Sequence, residues 1–268
     1  MPAKPIKILH WNINGIRSII KKSVYKSQSF EVALTKQNAD ILVFTETKIG
    51  TDARDNHNHV GQLFNSYQYQ YHAHASKKGY SGVSVYSKLR PIKQLNTFAD
   101  DEGRLIVLEY ASFILISVYV PNSGAKLNRL QYRTQEWDKQ FTQTCKRLSN
   151  RKPLVVVGDL NVAHMDLDIS HPEKHHGAAG FTDSERGNFD QMLRKCDLLD
   201  TWRVQHDGQV AYTYFDYRTK ARARNAGWRI DYILISSKLQ PALVASDILS
   251  QMTGSDHIPI ACTLTLST

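Results

Sequence analysis

Several short apolar runs in this chain end in side chains that can bind cations. "IKILHWNIN" closes with Asn12 and Asn14, "ILVFTETK" carries Glu46, and "LVVVGDLN" closes with Asp159 and Asn161. "GSDHIPI", just before the last apolar run, sets Asp256 beside His257. If these ends meet, they form an oxygen-rich pocket. Such a pocket suits Mg²⁺, a hard cation that takes oxygen ligands and keeps several waters. Residues two apart in an extended segment face the same way, as Asn12 and Asn14 would, and Asp159 and Asn161. At any single position the plain alternative is a cap or turn, since Asn and Asp favour both. Four such ends together are harder to explain that way.

"GWRIDYILI" places Asp231 inside an apolar run. A buried carboxylate without a partner is costly. Two partners fit the pattern. Arg229 would make a structural ion pair; His257 would be oriented and held protonated by the carboxylate. Carboxylate–imidazole pairing recurs in hydrolytic sites. No G-x-S-x-G elbow and no G-x-x-x-x-G-K-[ST] phosphate loop is present. The literal "HNH" at His57–His59 is a decoy in a polar stretch. His72 with His74, and His171 with His175 and His176, have no cysteines near them to complete a zinc site. In "AYTYFDYRTKARARNAGWRID" the rings of Tyr212, Tyr214, Phe215, Tyr217 and Trp228 alternate with Arg218, Lys220, Arg222 and Arg224. Rings that stack on a base or sugar, beside guanidiniums for phosphate, suit nucleic acid. A hairpin with core rings and a solvated basic loop is the simpler alternative.

Positioning these groups requires a substantial core. The 268 residues, 41% of them apolar, fit one large domain or two small ones, and a single domain spanning 1–268 is the expectation. No apolar run reaches the 18 residues of a membrane span, and "MPAKPIKILHW" lacks the apolar block of a signal peptide. The expectation is an intracellular protein, in nucleus, nucleoid or cytoplasm, that is not secreted. Cys145, Cys196 and Cys262 are scattered and odd in number, which points to a reduced compartment. A formal charge of +9 favours a polyanionic partner, nucleic acid first.

Short runs rich in Val, Ile and Tyr predict strands at Ile6–Trp11, Ile41–Thr45, Tyr67–His72, Gly82–Tyr86, Leu105–Tyr110, Ile114–Val120, Leu154–Gly158, Ala211–Phe215, Arg229–Ile235 and Pro259–Leu266. Leu130, Trp137, Phe141, Cys145 and Leu148 step by seven, four, four and three, one face of a long helix. Further helices are predicted at Ser184–Cys196 and about Ser29–Gln37. Many strands with few helices, and no strict alternation, argue for an α+β fold of layered sheets with helices outside.

Taken together, "WNINGIR", "FTETK", "KKGYSGVSVYSK", "SVYVPNSG", "VVGDLNVAH", "AGFTDSER", "YTYFDY", "NAGWRIDY" and "GSDHIPI" resemble, in order and from Ile8 to Ile260, the exonuclease III / apurinic-apyrimidinic endonuclease family of the endonuclease–exonuclease–phosphatase superfamily. The resemblance implies a four-layered α/β sandwich, two packed mixed sheets flanked by helices as in deoxyribonuclease I. It implies Mg²⁺-dependent cleavage of DNA, with Mn²⁺ as a substitute. The substrate would be double-stranded DNA with abasic sites or blocked 3′ ends, met by a monomer with no membrane association.

Carried over by motif, Glu46 is the principal metal ligand, with Asn12, Asn14, Asp159, Asn161 and Asp256 near the ion. Asp159 handles the attacking water, Asn161 holds phosphate or that water, and His257, oriented by Asp231, contacts the scissile phosphate. Tyr119 and Asn122 complete the phosphate cradle; Tyr214, Trp228 and Ile230 form the pocket for a base-less sugar; Arg17 and Tyr80 grip the backbone. Departures fall in the DNA-gripping loops. "HPEKHHGAAGF" brings His175, His176 and Ala178, Ala125 stands where close eukaryotic relatives carry Arg, and Arg218 replaces a Met wedge. These departures bear on grip of intact duplex, and hence on the balance between abasic-site incision and 3′-end trimming, and a bulky His175 would also narrow the channel. The alternatives are a paralogue specialised for 3′ ends, a non-catalytic nucleic-acid-binding module, and a phosphodiesterase or phosphatase for RNA, lipid or inositol phosphates.

Overall fold

The computed structural model describes residues 3–50 and 62–266; the "HNH" string at His57–His59 lies outside them. In chain order the strands are β1 (Lys4–Asn12), β2 (Ser23–Tyr25), β3 (Gln28–Ser29), β4 (Ile41–Thr45), β5 (Tyr69–Ala73), β6 (Val83–Ser87), β7 (Lys93–Gln94), β8 (Leu105–Glu109), β9 (Ile114–Tyr119), β10 (Leu154–Asp159), β11 (Leu198–Asp200), β12 (Asp231–Ser236), β13 (Leu243–Ile248) and β14 (Ile260–Leu266). Apart from the small β2–β3 ribbon they form two six-stranded sheets, ordered β13-β14-β1-β4-β6-β5 and β11-β12-β10-β9-β8-β7. Each sheet is mixed. β1–β4 and β9–β10 run parallel, and the other neighbours antiparallel.

β4, β6, β9, β10 and β12 are buried along their whole length, which is why they read as nearly continuous apolar runs. Alternate side chains of Ile6, Ile8, Val43, Leu115, Val155, Val157, Ile233 and Ile260 fill the space between the sheets. The opposite face of the first sheet packs Leu9, Trp11, Leu42 and Phe44 against helix Phe30–Gln37. The opposite face of the second packs Ile116, Val156 and Leu234 against helices Asp138–Ser149 and Asp183–Cys196. Helix, sheet, sheet and helix make the four-layered sandwich expected from the sequence. Among the described residues no helix is long and apolar enough to cross a membrane.

Three sequence expectations change. The long helix divides into a π-turn, Tyr132–Trp137, and the α-helix Asp138–Ser149, while Leu130 is only half-buried ahead of both. The wider turn faces Arg133, Thr134 and Trp137 inward together. Ala211–Phe215 is not a strand. It contributes isolated bridges from Tyr214 to Trp228 and to His257, because its amides are taken one or two at a time by separate segments. Thr213 and Tyr214 both donate to the Trp228 carbonyl at 2.8 Å, and Phe215 donates to the Asp256 carbonyl at 2.8 Å. The edge strands β11 and β13 have no counterpart among the predicted runs.

Candidate active site

The layer between the sheets changes chemistry at one end. On β1 the row Ile6, Ile8 continues as His10 and Asn12; on β10 Val155 and Val157 lead to Asp159; on β12 Ile235 and Ile233 lead back to Asp231. Strand register sets Asp159 opposite Tyr119 on one side and Asp231 on the other. The alternation that builds the core thus also delivers these side chains to one place.

Loops after the strands supply the rest with left-handed backbone: Asn14 at φ 47°, Glu46 at φ 50° and Asn161 at φ 49°. Asn tolerates this conformation; Glu rarely adopts it, and such strain persists where the surroundings enforce it. Here Gly15 N–H donates to the Glu46 carbonyl at 2.7 Å and Thr47 N–H to the Gly82 carbonyl at 3.1 Å. Gly158, just before Asp159, is required by close approach, since a Cβ there would lie 1.8 Å from the Val118 carbonyl oxygen.

Asn12 joins the two carboxylates. Its buried Nδ2 donates to Glu46 Oε1 at 3.0 Å and to Asp159 Oδ2 at 2.8 Å, while its Oδ1 accepts from Asn14 N–H at 3.1 Å. Asn12 therefore turns its amide NH₂, not its oxygen, toward Glu46 and Asp159. Asn14 Nδ2 donates to Asp256 Oδ1 at 3.0 Å, and Lys48 Nζ donates to Asn14 Oδ1 and pairs with Glu46 Oε2 at 3.0 Å. Asn161 N–H donates to Asp159 Oδ1 at 2.9 Å. Both ends of the Asn161 amide are engaged, Nδ2 with the Val120 carbonyl at 2.8 Å and Oδ1 with Asn122 Nδ2 at 2.9 Å.

The open question of Asp231's partner resolves to His257. Nδ1 of His257 lies 2.8 Å from Asp231 Oδ2, and its Nε2 lies 3.9 Å from Asp159 Oδ2. Arg229 instead bonds Asp168 Oδ1 and Asp200 Oδ2, each at 2.7 Å. Burial alone would discharge the His257 ring; the charge and hydrogen bond of Asp231, with Asp159 and Asp256, outweigh it and push its pKa up to about 10. Burial likewise opposes charge on Asp231, but His257 and His10 hold it well below the usual carboxylate range. For Asp159, burial followed by the Asp231 charge outweighs the help of His257 and Asn12 and pushes it up to about 7. Glu46 is half-buried; its burial opposes the charge, but Lys48, Asn12 and His257 hold it below the usual range. Burial, then the Glu46 and Asp159 charges, keeps the Tyr119 phenol protonated.

Ligand atoms of Glu46, Asp159 and His257 all lie within 4.8 Å of one another. An imidazole held protonated has no lone pair for a metal. The donors that remain are carboxylate oxygens, a set that fits Mg²⁺ better than zinc.

Beside this cluster is a small packed apolar group. Tyr214 and Trp228 pack with Ala163, Ile169, Phe181 and Ile230, and the Tyr214 ring lies 4.9 Å from His257. Gly227 permits the packing, because a Cβ there would lie 2.6 Å from both Phe215 and Tyr212 side-chain atoms. His175 stands over Trp228 with ring centres 5.2 Å apart. Tyr80 accepts from Arg104 and Arg129 at 2.8 Å each, and Arg104 in turn covers the Tyr119 ring at 4.7 Å. Arg17 and Asn122 are exposed, and Arg218 pairs with Asp216, two residues before it.

Four groups escaped the sequence reading. His10 Nε2 bonds Asp231 Oδ1 at 2.9 Å, and Trp11 Nε1 donates to the His257 carbonyl at 3.0 Å. Lys48 was visible in "FTETK". Arg133 holds the carbonyls of Pro121 and Leu160 at 2.8 and 2.9 Å, which fixes the two loops that carry Asn122 and Asn161.

Residues 9–257 match the model of the Endonuclease/Exonuclease/phosphatase family. An exodeoxyribonuclease of Bacillus subtilis is 36% identical over 95% of this chain and 98% of its own. Among solved structures, an AP endonuclease from Leishmania major superposes with a TM-score of 0.87 at 25% identity, covering 98% of this chain and 89% of the other. A 3′ phosphatase from Neisseria, bound to product DNA hairpin, gives 0.79 at 26% identity, covering 97% and 100%.

Proposed function

Because the chain belongs to the endonuclease/exonuclease/phosphatase family, we propose that it is a DNA-repair phosphodiesterase that depends on Mg²⁺, cleaves duplex DNA 5′ to abasic sites and also trims blocked 3′ ends. The observation that carries this reading is the position of Asp159. It lies between the Asn12 amide that ties it to Glu46 and the Nε2 edge of His257, beside the Tyr214–Trp228 group.

Glu46 and Asp159 would hold the ion, with Asp256 and Asn14 completing its surroundings through water. Bound there, Mg²⁺ supplies charge neutralisation on the phosphoryl oxygens. Asp159 takes a proton from the attacking water, and Asn161 N–H keeps its carboxylate aimed. The water oxygen bonds to phosphorus, the bond from phosphorus to the upstream 3′ oxygen breaks, that oxygen takes a proton from solvent water and leaves as a hydroxyl, and Asp159 returns its proton to solvent. His257, cationic and oriented by Asp231, stabilises charge on the phosphate. Tyr119 and Asn122 contribute neutral donors to the same group. An abasic nucleotide has no base to unpair, so it flips out cheaply into an apolar recess. Tyr214, Trp228 and Ile230 line that recess, while Arg17, Tyr80 and Arg218 meet the flanking backbone. The protein acts as a monomer in a DNA-containing compartment.

A duplex carrying one abasic analogue tests this. Nicking 5′ to the analogue is expected with Mg²⁺ and none with EDTA; an intact duplex with Mg²⁺ counts against the reading. A second reading, preference for 3′ ends, is favoured by His175, whose ring packs tilted against Trp228 with ring centres 5.2 Å apart and would crowd a sugar entering beside it. A panel of abasic duplex, recessed 3′ ends, 3′-phosphate ends and single strands separates the two.

A further inference from the structure

We propose that His10 is a positioning residue for this reaction: it clamps the second oxygen of Asp231, so that the carboxylate presents its first oxygen to His257 in one orientation only. The inference rests on the phosphodiesterase reading above.

Asp231 is bonded at both oxygens by imidazoles. His257 Nδ1 is 2.8 Å from Oδ2 and His10 Nε2 is 2.9 Å from Oδ1. The three groups are buried, with 0%, 2% and 4% exposure for His10, Asp231 and His257. An ionised carboxylate only accepts, so both rings must donate. His10 donates through Nε2–H and His257 through Nδ1–H. His10 Nδ1 is buried with no hydrogen-bond partner, which fits a bare lone pair and not an N–H, since an orphaned donor is costlier in apolar surroundings.

A carboxylate bonded at one oxygen can still turn about Cβ–Cγ, a broad two-fold torsion. Bonded at both, its plane is fixed. Thr213 holds the backbone beneath it, its Oγ1 accepting from the amides of Ile230 and Asp231 at 3.1 Å each. His10 comes from the other sheet, so the clamp also ties the sheets together beneath the site. Three successive residues of β1 share this work. His10 reaches Asp231, Trp11 reaches the His257 carbonyl, and Asn12 reaches Asp159 and Glu46. His10 and Asn12 point between the sheets while Trp11 points outward, so the last turn of strand pleat grips the site from two directions.

Cleavage of abasic duplex by the full chain is compared for wild type, His10→Leu, His10→Gln, Asp231→Asn and the double variant His10→Leu with Asp231→Asn. Loss of an outer partner of a catalytic group typically costs about 10- to 100-fold. That loss is expected in kcat of His10→Leu, with KM within about twofold of wild type. The Gln amide reaches where Nε2–H stood, so His10→Gln should recover most of the rate. The double variant should be no slower than Asp231→Asn alone. Unchanged kcat in His10→Leu, equal losses in Leu and Gln, or additive losses in the double variant overturn the proposal. If His10→Leu does not fold, His10→Asn, polar but too short to reach, takes its place.

An independent arm needs no turnover. The ¹⁵N imidazole signals of wild type should place a proton on Nε2 of His10 and on Nδ1 of His257; a His10 ring without a proton on Nε2 overturns the clamp. A wild type that shows these protons yet leaves every DNA substrate intact refutes the phosphodiesterase reading and leaves the clamp standing.

Discussion

Asp159 and Asp231 are direct partners in the β10–β12 register, both buried and both facing the space between the sheets. Their proton affinities nevertheless diverge. Asp231 receives imidazole N–H groups at both oxygens and stays ionised, whereas Asp159 receives the Asn12 amide and the Asn161 backbone N–H and is pushed up to about 7. His257 leans toward Asp231 at 2.8 Å and away from Asp159 at 3.9 Å. One carboxylate serves as a fixed anion for the imidazolium, which leaves the other free to handle a proton.

Asp159→Asn should lose at least about 100-fold in kcat, the usual scale for removing a general base. Its stability should change in a pH-dependent way. A carboxyl whose folded pKa is raised stabilises the fold at low pH, and that contribution disappears as pH rises from its ordinary 3.8 through about 7. In EDTA, the melting temperature of Asp159→Asn should therefore gain on wild type across that window. Parallel Tm–pH curves for the two proteins would show that the Asp159 carboxyl is not strained in the fold.

His257→Asn should also cripple kcat, but its stability signature has the opposite placement. The folded pKa is raised from 6.5 to about 10, so the ring's contribution is complete below 6.5 and is lost as pH rises through about 10. Wild type should lose its stability advantage over His257→Asn between those values. A constant difference in Tm from pH 6 to 10 would contradict the assigned cation.

Arg229→Met probes the support under the apolar group of Tyr214 and Trp228. The guanidinium is 1% exposed and bonds Asp168 and Asp200 at 2.7 Å each, while the Arg229 amide donates to the Asp168 carbonyl at 2.7 Å. Asp168 keeps Arg203 as a partner, but Asp200 is left without its guanidinium, and removing one partner of a buried ion pair typically costs about 3–5 kcal/mol. Chemical denaturation should report a loss of this size. A loss under about 1 kcal/mol would mean that the acids find other partners or take up protons.

Candidate residues were legible because four separate apolar runs end in oxygen-bearing side chains, ordinary one at a time but not together, and the two-residue spacing of Asp159 and Asn161 survives folding as a direct hydrogen bond. The sandwich was legible from apolar runs that suit strands covered on both faces. His10 was not, since within "ILHWN" it reads as one more member of a strand, and its role appears only when β12 of the other sheet delivers Asp231 to it. The left-handed turn at Glu46 was equally hidden, because neighbouring loops impose it against the residue's own preference. Ala211–Phe215 has strand composition, yet no neighbouring segment offers it more than a one-residue bridge. Local pattern therefore marked the candidate residues, while tertiary pairing decided which of them meet.

His175→Ala should shift substrate choice and leave the chemistry intact. His175 shares no hydrogen bond with Asp159, Asp231 or His257; its contact is with Trp228, ring centres 5.2 Å apart. A residue that narrows a recess discriminates by shape, on the order of 10-fold or more for a modest change in volume. Truncation should raise kcat/KM on abasic duplex by about tenfold and leave removal of a 3′-phosphate within about twofold, because an end group reaches the Asp159 cluster without entering the recess. Equal changes on both substrates would mean that His175 acts on general DNA grip. Unchanged rates on both would remove the steric argument for a 3′-end preference and leave abasic-site incision as the better reading.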